Sequence, residues 1–171
     1  PIEHSLSPIL HNYWIQNNKI NAIYEKKKLN EDELGNLISE IKEKKIEGIN
    51  ITVPFKKLVI PHLDKLTNDA LSTQSVNTVY SEGNEIIGHN TDITGFEIGL
   101  KKTNYKVQGK KIFILGAGGV VPSIIFALKK MNVSEIIVSN RTRTNAQDLE
   151  KLFNDLKIIE WGNIPDFDVV I

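Results

Sequence analysis

The chain has 171 residues, 40% of them hydrophobic and 25% charged, which suits one ordinary globular domain or two small ones and excludes a disordered polymer. Lysine plus arginine and aspartate plus glutamate both total 21, so nothing in the charge points to nucleic acid or an anionic membrane as partner. There is no cysteine, hence no disulfide framework and no thiolate metal site, and no apolar run approaches the ~20 residues of a membrane span.

The first element is announced by SLSP, residues 5–8, where serine can cap a helix and proline suits its first turn. Ile9, Leu10, Tyr13 and Trp14 follow at helical spacing. Residues 21–28 read as a strand. Asn30 and the acidic run after it open an amphipathic helix carrying Leu34, Leu37, Ile38 and Ile41. EGINITV, residues 47–53, alternates small and apolar residues as a strand does. It stops at Pro54, with Thr52, Lys56 and Lys57 at the stop, and a short helix follows. Residues 66–73 read as helix. VNTVY and EIIGH flank SEGN as a hairpin, and a helix runs from Asp92 to about Lys102 with Ile93, Phe96 and Leu100 on one face.

The polar stretch NYKVQGKK, residues 104–111, closes this part, and the character of the chain changes. KIFIL, EIIVS, LKIIEW and DVVI are apolar strands separated by an apolar helix and by TRTNAQDLEKLF. This alternation predicts a parallel sheet with helices on both faces. The chain therefore divides into residues 1–103 and 104–171, two α/β units with no repeats between them. It begins at Pro1 without methionine and ends inside an apolar run, as a fragment of a longer protein would.

GAGG, Gly116, Ala117, Gly118 and Gly119, follows a strand and opens a helix. A glycine turn there lets backbone N–H groups approach a pyrophosphate at a helix N-terminus. The third position of the usual G-x-G-x-x-G is Val121 rather than glycine, and a tight strand-to-helix turn is the alternative reading. Units that bind NAD end the next strand with an acid on the ribose hydroxyls. Here that end reads Asn140, Arg141, Thr142, Arg143, and these are the only two arginines in the chain. Guanidinium groups pair with a 2′-phosphate, so the pattern favours NADP over NAD. A solvated helix start is the alternative.

The first half offers hydroxyls, amides, a lysine and a carboxylate at the ends of elements: Ser5 and Ser7, Thr52 and Lys56, Asn77, and Asn90 to Asp92. They suit a polyhydroxylated, anionic small molecule. Each also has a plainer reading, Ser7 or Thr91 as a cap, Thr52 as a strand end, Lys56 as a solvated cation.

Together HSLSP, NITVPFK, VNT, GHNTD, GAGG and NRT stand in the order and approximate spacing of the shikimate dehydrogenases, and the chain resembles that family from Pro1 to Ile171. The resemblance implies an N-terminal α/β substrate domain and a Rossmann-type, doubly wound NADP domain, here incomplete. It implies reduction of 3-dehydroshikimate to shikimate with NADPH in aromatic amino-acid biosynthesis. Ser5 and Ser7 would hold the substrate carboxylate, Thr52, Asn77 and Asp92 the ring hydroxyls, and Lys56 would be the catalytic lysine paired with Asp92. Lys57 and His89 receive no role. The cofactor site would comprise Gly116 to Gly119 and Asn140 to Arg143. Family members often carry a further basic residue where this chain has Asn145. The family's first strand and its C-terminal segment, with a substrate-binding glutamine, would lie outside the chain. The implied protein is cytoplasmic, a monomer or homodimer, with a small-molecule substrate, no metal, no nucleic acid and no membrane. Alternatives are a mixed quinate/shikimate dehydrogenase, against which the two serines speak, a non-catalytic NADP-binding relative, against which Lys56 and Asp92 speak, and one module of a fused polypeptide.

Overall fold

The computed structural model describes residues 2–171; the expected first residue of the substrate domain, Pro1, lies outside them. The chain forms two compact units, one reaching to Leu34 and one spanning Gly35–Ile171.

In the first unit, α1 (Ser7–Asn17) starts with Pro8 in its first turn, where a missing N–H costs nothing. Its N-cap is Leu6, without a side-chain cap bond, so Ser7 lies inside the helix rather than capping it. The stretch predicted as a strand over 21–28 is irregular. Its backbone is satisfied by a side chain: the Asn12 amide donates to the Tyr24 carbonyl at 2.9 Å and accepts from the Tyr24 N–H at 2.8 Å. His11 stacks on the Tyr24 ring, 4.2 Å between centroids. Extended backbone becomes a strand only with a ladder partner, and here one asparagine supplies the pairing.

A 3-10 turn, Glu31–Glu33, carries a capping box in which the Asn30 N–H donates to Glu33. It leads into α2 (Leu34–Lys42).

Two sheets organise the second unit. The first contains β1 (Gly48–Asn50), β2 (Lys65–Leu66), β3 (Thr78–Glu82) and β4 (Glu85–His89), in the order β1-β3-β4-β2. β1 and β4 run antiparallel to β3, and β2 runs parallel to β4. Gly83, first of the two residues between β3 and β4, sits at φ +61, as a II′ hairpin turn requires. Between these strands lie α3 (Phe55–Leu58) and α4 (Asn68–Thr73). Ile38 and Ile41 of α2 join Ile51, Val59, Ala70, Val76, Val79 and Ile86 in one core. Each isoleucine or valine of this core contributes about 1.5–3 kcal/mol on burial.

α5 (Asp92–Lys102) leads to the second sheet, whose strands β5 (Lys111–Leu115), β6 (Glu135–Ser139), β7 (Lys157–Ile159) and β8 (Val169–Val170) are all parallel, in the order β7-β6-β5-β8. The chain winds outward from β5 to β7 and then returns to the other side of β5. That reversal is the doubly wound arrangement, and it opens a crevice at the C-terminal end of β5. α6 (Val121–Lys130) and α7 (Arg143–Leu152) cover one face: Ile112, Ile114, Ile136 and Val138 of the sheet share a core with Ile125, Leu128, Ala146 and Leu149. On the other face Phe113 meets Phe167 of the irregular β7–β8 connection, 5.6 Å between ring centroids. Phe96 and Leu100 of α5 also pack on the second core, and Glu97 pairs with Lys130 of α6 at 3.0 Å. α5 is thus the element that joins the two sheets.

Candidate active site

β1 is followed by Ile51-Thr52-Val53-Pro54, with a cis bond before the proline, and the chain turns at once into α3. The Phe55 N–H donates to the Thr52 carbonyl at 2.9 Å, which closes the turn. Thr52 stays exposed upon it. Lys56 falls in the first turn of α3, and its carbonyl accepts from the Val76 N–H at 2.9 Å. The lysine backbone is therefore anchored to the residue just before Asn77. Its side chain reaches Asp92 at the start of α5, with Nζ 2.6 Å from Oδ2. The two side chains are 14% and 23% exposed, which excludes bulk water from most of the pair yet leaves it reachable. Lys57 is exposed.

Asn77 sits beside this pair. Its N–H donates to the His89 carbonyl, and its carbonyl accepts from the Ile51 N–H, so it continues the ladder past β3. Its side-chain Oδ1 accepts from the Thr91 N–H at 3.0 Å, and its Nδ2 donates to Thr91 Oγ1 at 2.9 Å. On the other side the Asp92 N–H donates to Asn90 Oδ1 at 2.9 Å. The helix start is thus capped by the amides of Asn77 and Asn90, not by the Thr91 hydroxyl. That matters because the carboxylate of Asp92 sits in a first helical turn, where the macrodipole favours a negative charge. His89 is held by Thr67, 2.9 Å from Nδ1 to Oγ1.

The glycine turn follows β5. Gly116 lies at φ +131, open only to glycine without strain, and its N–H donates to the Ser139 carbonyl of β6. A Cβ at Gly116 or Gly118 would meet nothing within 4 Å, so this backbone is uncovered at the N-terminus of α6. A Cβ at Gly119 would lie 3.7 Å from the Val53 side chain. The glycine turn and the segment carrying Lys56 are neighbours. An anionic diphosphate fits such a turn, and the exposed Arg141 at the end of β6 fits a further phosphate.

The expected arginine clamp is altered in one respect. Asn140 Nδ2 donates to the Thr142 carbonyl at 2.6 Å, folding the NRT segment onto itself, and Thr142 is the α7 N-cap without a side-chain bond. Arg143, at the first position of α7, is paired with Glu160 at the end of β7. Of the two arginines, Arg141 alone offers its charge without such a partner among the described residues. Ser5 and Ser7 lie in the first unit, where Ser5 Oγ accepts from the Ser7 N–H at 3.3 Å. Two residues of consequence received no role from the sequence: Glu160, whose pairing depends on strand register, and Ser123, a lone hydroxyl on an apolar helix.

Residues 1–79 match the family model described as the shikimate dehydrogenase substrate binding domain, and residues 97–171 match that of shikimate / quinate 5-dehydrogenase. A shikimate dehydrogenase (NADP(+)) of Pelagibacter ubique is 56% identical over the whole chain, which spans 64% of that protein's length. The crystal structure of shikimate dehydrogenase from Aquifex aeolicus superposes with a TM-score of 0.86 at 38% identity, over 93% of this chain and 59% of that one. Shikimate 5-dehydrogenase from Thermus thermophilus in complex with NADP(H) and shikimate gives 0.83 at 31% identity, over 93% and 59%. The chain thus spans less than two thirds of the relatives it matches. With both family models on it in order, and with the Lys56–Asp92 pair beside a glycine turn, the chain belongs to the shikimate dehydrogenase family.

Proposed function

We propose that the protein to which this chain belongs interconverts 3-dehydroshikimate and shikimate with NADPH and NADP+. The observation that carries this reading is the Lys56–Asp92 pair, 2.6 Å apart and next to the glycine turn through Val53 and Gly119. When bound, the nicotinamide cofactor would supply or accept a hydride at the ring carbon bearing the reacting oxygen. In the reductive direction the carbonyl π bond breaks, a C–H bond forms and the oxygen takes a proton. The Lys56 ammonium faces that oxygen, stabilises its growing negative charge and donates the proton, after which the amine recovers a proton from solvent. Asp92 accepts the hydrogen bond that fixes the ammonium and, with Thr52 and Asn77, binds ring hydroxyls. Ser5 and Ser7 take the carboxylate. Gly116 to Gly119 receive the pyrophosphate, and Arg141, with Asn140, Thr142 and Arg143 around it, receives the 2′-phosphate. Residues 1–103 form the substrate domain and 104–171 the cofactor domain. The protein works as a monomer or homodimer in the cytoplasm; among the described residues no helix is long and apolar enough to cross a membrane.

The test is NADPH formation, followed by absorbance in the full-length gene product, with shikimate or quinate and with NADP+ or NAD+. Turnover that requires shikimate and prefers NADP+ is the expected result. Turnover of quinate at equal efficiency would replace the assignment with a mixed quinate/shikimate dehydrogenase, and none with either would leave a binding role.

A further inference from the structure

Asn90 is wholly buried, and its amide meets four partners from three elements. Nδ2 lies 2.9 Å from the Ser75 carbonyl, 2.9 Å from Ser123 Oγ and 3.1 Å from Thr73 Oγ1, while Oδ1 accepts from the Asp92 N–H at 2.9 Å. Thr73 ends α4, and its own hydroxyl hydrogen goes to the Asp69 carbonyl at 2.7 Å, so toward Asn90 it can only accept. Ser123 is also fully buried, within the first turn of α6 and four residues beyond the last glycine of the turn. Its neighbours Pro122, Ile125 and Ala127 are buried apolar residues, and a hydroxyl placed there costs free energy unless it is bonded. The amide of Asn90 supplies that bond: of its two Nδ2 hydrogens one goes to the Ser75 carbonyl, and the other goes to Ser123 Oγ at 2.9 Å, shared with the longer contact to Thr73 Oγ1.

We propose that Asn90 is a positioning residue that locks Asp92 to the helix carrying the glycine turn, with Ser123 as the anchor on that helix. This rests on the functional reading above, in which Asp92 orients Lys56. The lock runs from Ser123 Oγ through the Asn90 amide to the Asp92 backbone, without a flexible bond outside the protein core. A displacement of α6 is thereby passed to the carboxylate that holds the catalytic ammonium. A carboxylate cannot replace the amide, because Asn90→Asp would place an oxygen against the Ser75 carbonyl, which has no hydrogen to give.

The test uses the full-length protein and Ser123→Ala, which removes only the link to α6 and leaves the rest of the Asn90 network intact; Asn90→Asp is the stronger variant. The lock predicts that Ser123→Ala lowers kcat about tenfold, the scale of a small misplacement of a catalytic group. KM for shikimate and Kd for NADP+ stay within about twofold. Amide hydrogen exchange rises at Asp92. A variant with a lower Tm but unchanged kcat and unchanged exchange at Asp92 would reduce Ser123 to a packing role and overturn the proposal. If the unsubstituted protein turns over neither shikimate nor quinate, the proposed reaction falls. The exchange measurement then decides the lock alone: faster exchange at Asp92 in Ser123→Ala supports it, and unchanged exchange overturns it.

Discussion

The two sheets of the second unit solve different problems. The first is short-stranded and of mixed direction, and it spends its strand ends on polar groups: Thr52 after β1, Asn77 before β3, and Asn90 to Asp92 after β4. The second is wholly parallel, with buried Ile112, Ile114, Ile136 and Val138, and it offers backbone at a glycine turn and cations at the end of β6. On the proposed function, the first sheet holds the reacting groups at fixed distances and the second receives phosphates. The division should be visible in which measurement each substitution moves.

The largest effect is expected at Lys56. On the proposed reaction Lys56→Ala removes the proton donor, and it should lower kcat by about 10²–10⁴-fold. The affinity for NADP+, measured by calorimetry, should stay as it was. Loss of cofactor binding in the same variant would break the division of labour between the sheets.

The parallel sheet was legible in the sequence because KIFIL and EIIVS are continuous apolar runs, as strands covered on both faces are; the helices expected on both faces cover only one, and the other is met by Phe167 of the β7–β8 connection. The hairpin from Thr78 to His89 and the start of α5 at Asp92 were legible for local reasons, a turn glycine and a helical spacing. The strand expected over 21–28 was not formed, since pairing is a property of neighbours and not of the segment, and Asn12 took the place of a strand. β1 covers only Gly48–Asn50 of the predicted 47–53 for a related reason: its polar end turns toward α3. The Lys56–Asp92 pairing came from the family resemblance and is seen in the geometry. The Arg143–Glu160 pair and the Asn90–Ser123 bond join residues 17 and 33 positions apart, and no spacing rule brings them together.

A second substitution separates the sheets by stability. At Gly48 an added Cβ would stand 2.6 Å from the Val79 carbonyl oxygen, a backbone atom of the neighbouring strand that cannot swing away. Gly48→Ala should cost about 1–3 kcal/mol, seen as a shift of the denaturant midpoint. Amide exchange should rise in β1 and β3 before it rises in β5 and β6. Uniform loosening of both sheets would show that they unfold as one.

Arg141→Ala probes the second sheet in the same spirit. A hydrogen bond to a charged group contributes about 1.5–3 kcal/mol, and the exposed site puts the loss near its lower end, roughly tenfold in affinity. The loss should appear for NADP+ and for 2′,5′-ADP and be absent for NAD+. An equal loss for NAD+ would mean that Arg141 holds the diphosphate or the adenine instead.

The smallest effect has the most informative sign. Glu160 already occupies Arg143, so a 2′-phosphate has to share or displace that carboxylate. Both side chains of the pair are well exposed, and such pairs contribute about 0.2–1 kcal/mol. Removing the charge with Glu160→Gln frees the guanidinium, so the affinity for 2′,5′-ADP should rise by up to about fivefold while that for 5′-AMP stays level. The gain should shrink as salt is added, because screening weakens exposed charges. A fall in 2′,5′-ADP affinity would reverse the assignment and make Glu160 the residue that aims Arg143 at the phosphate. In either case the second sheet would set cofactor choice through a residue at the end of β7, one strand beyond the motif from which the sequence suggested it.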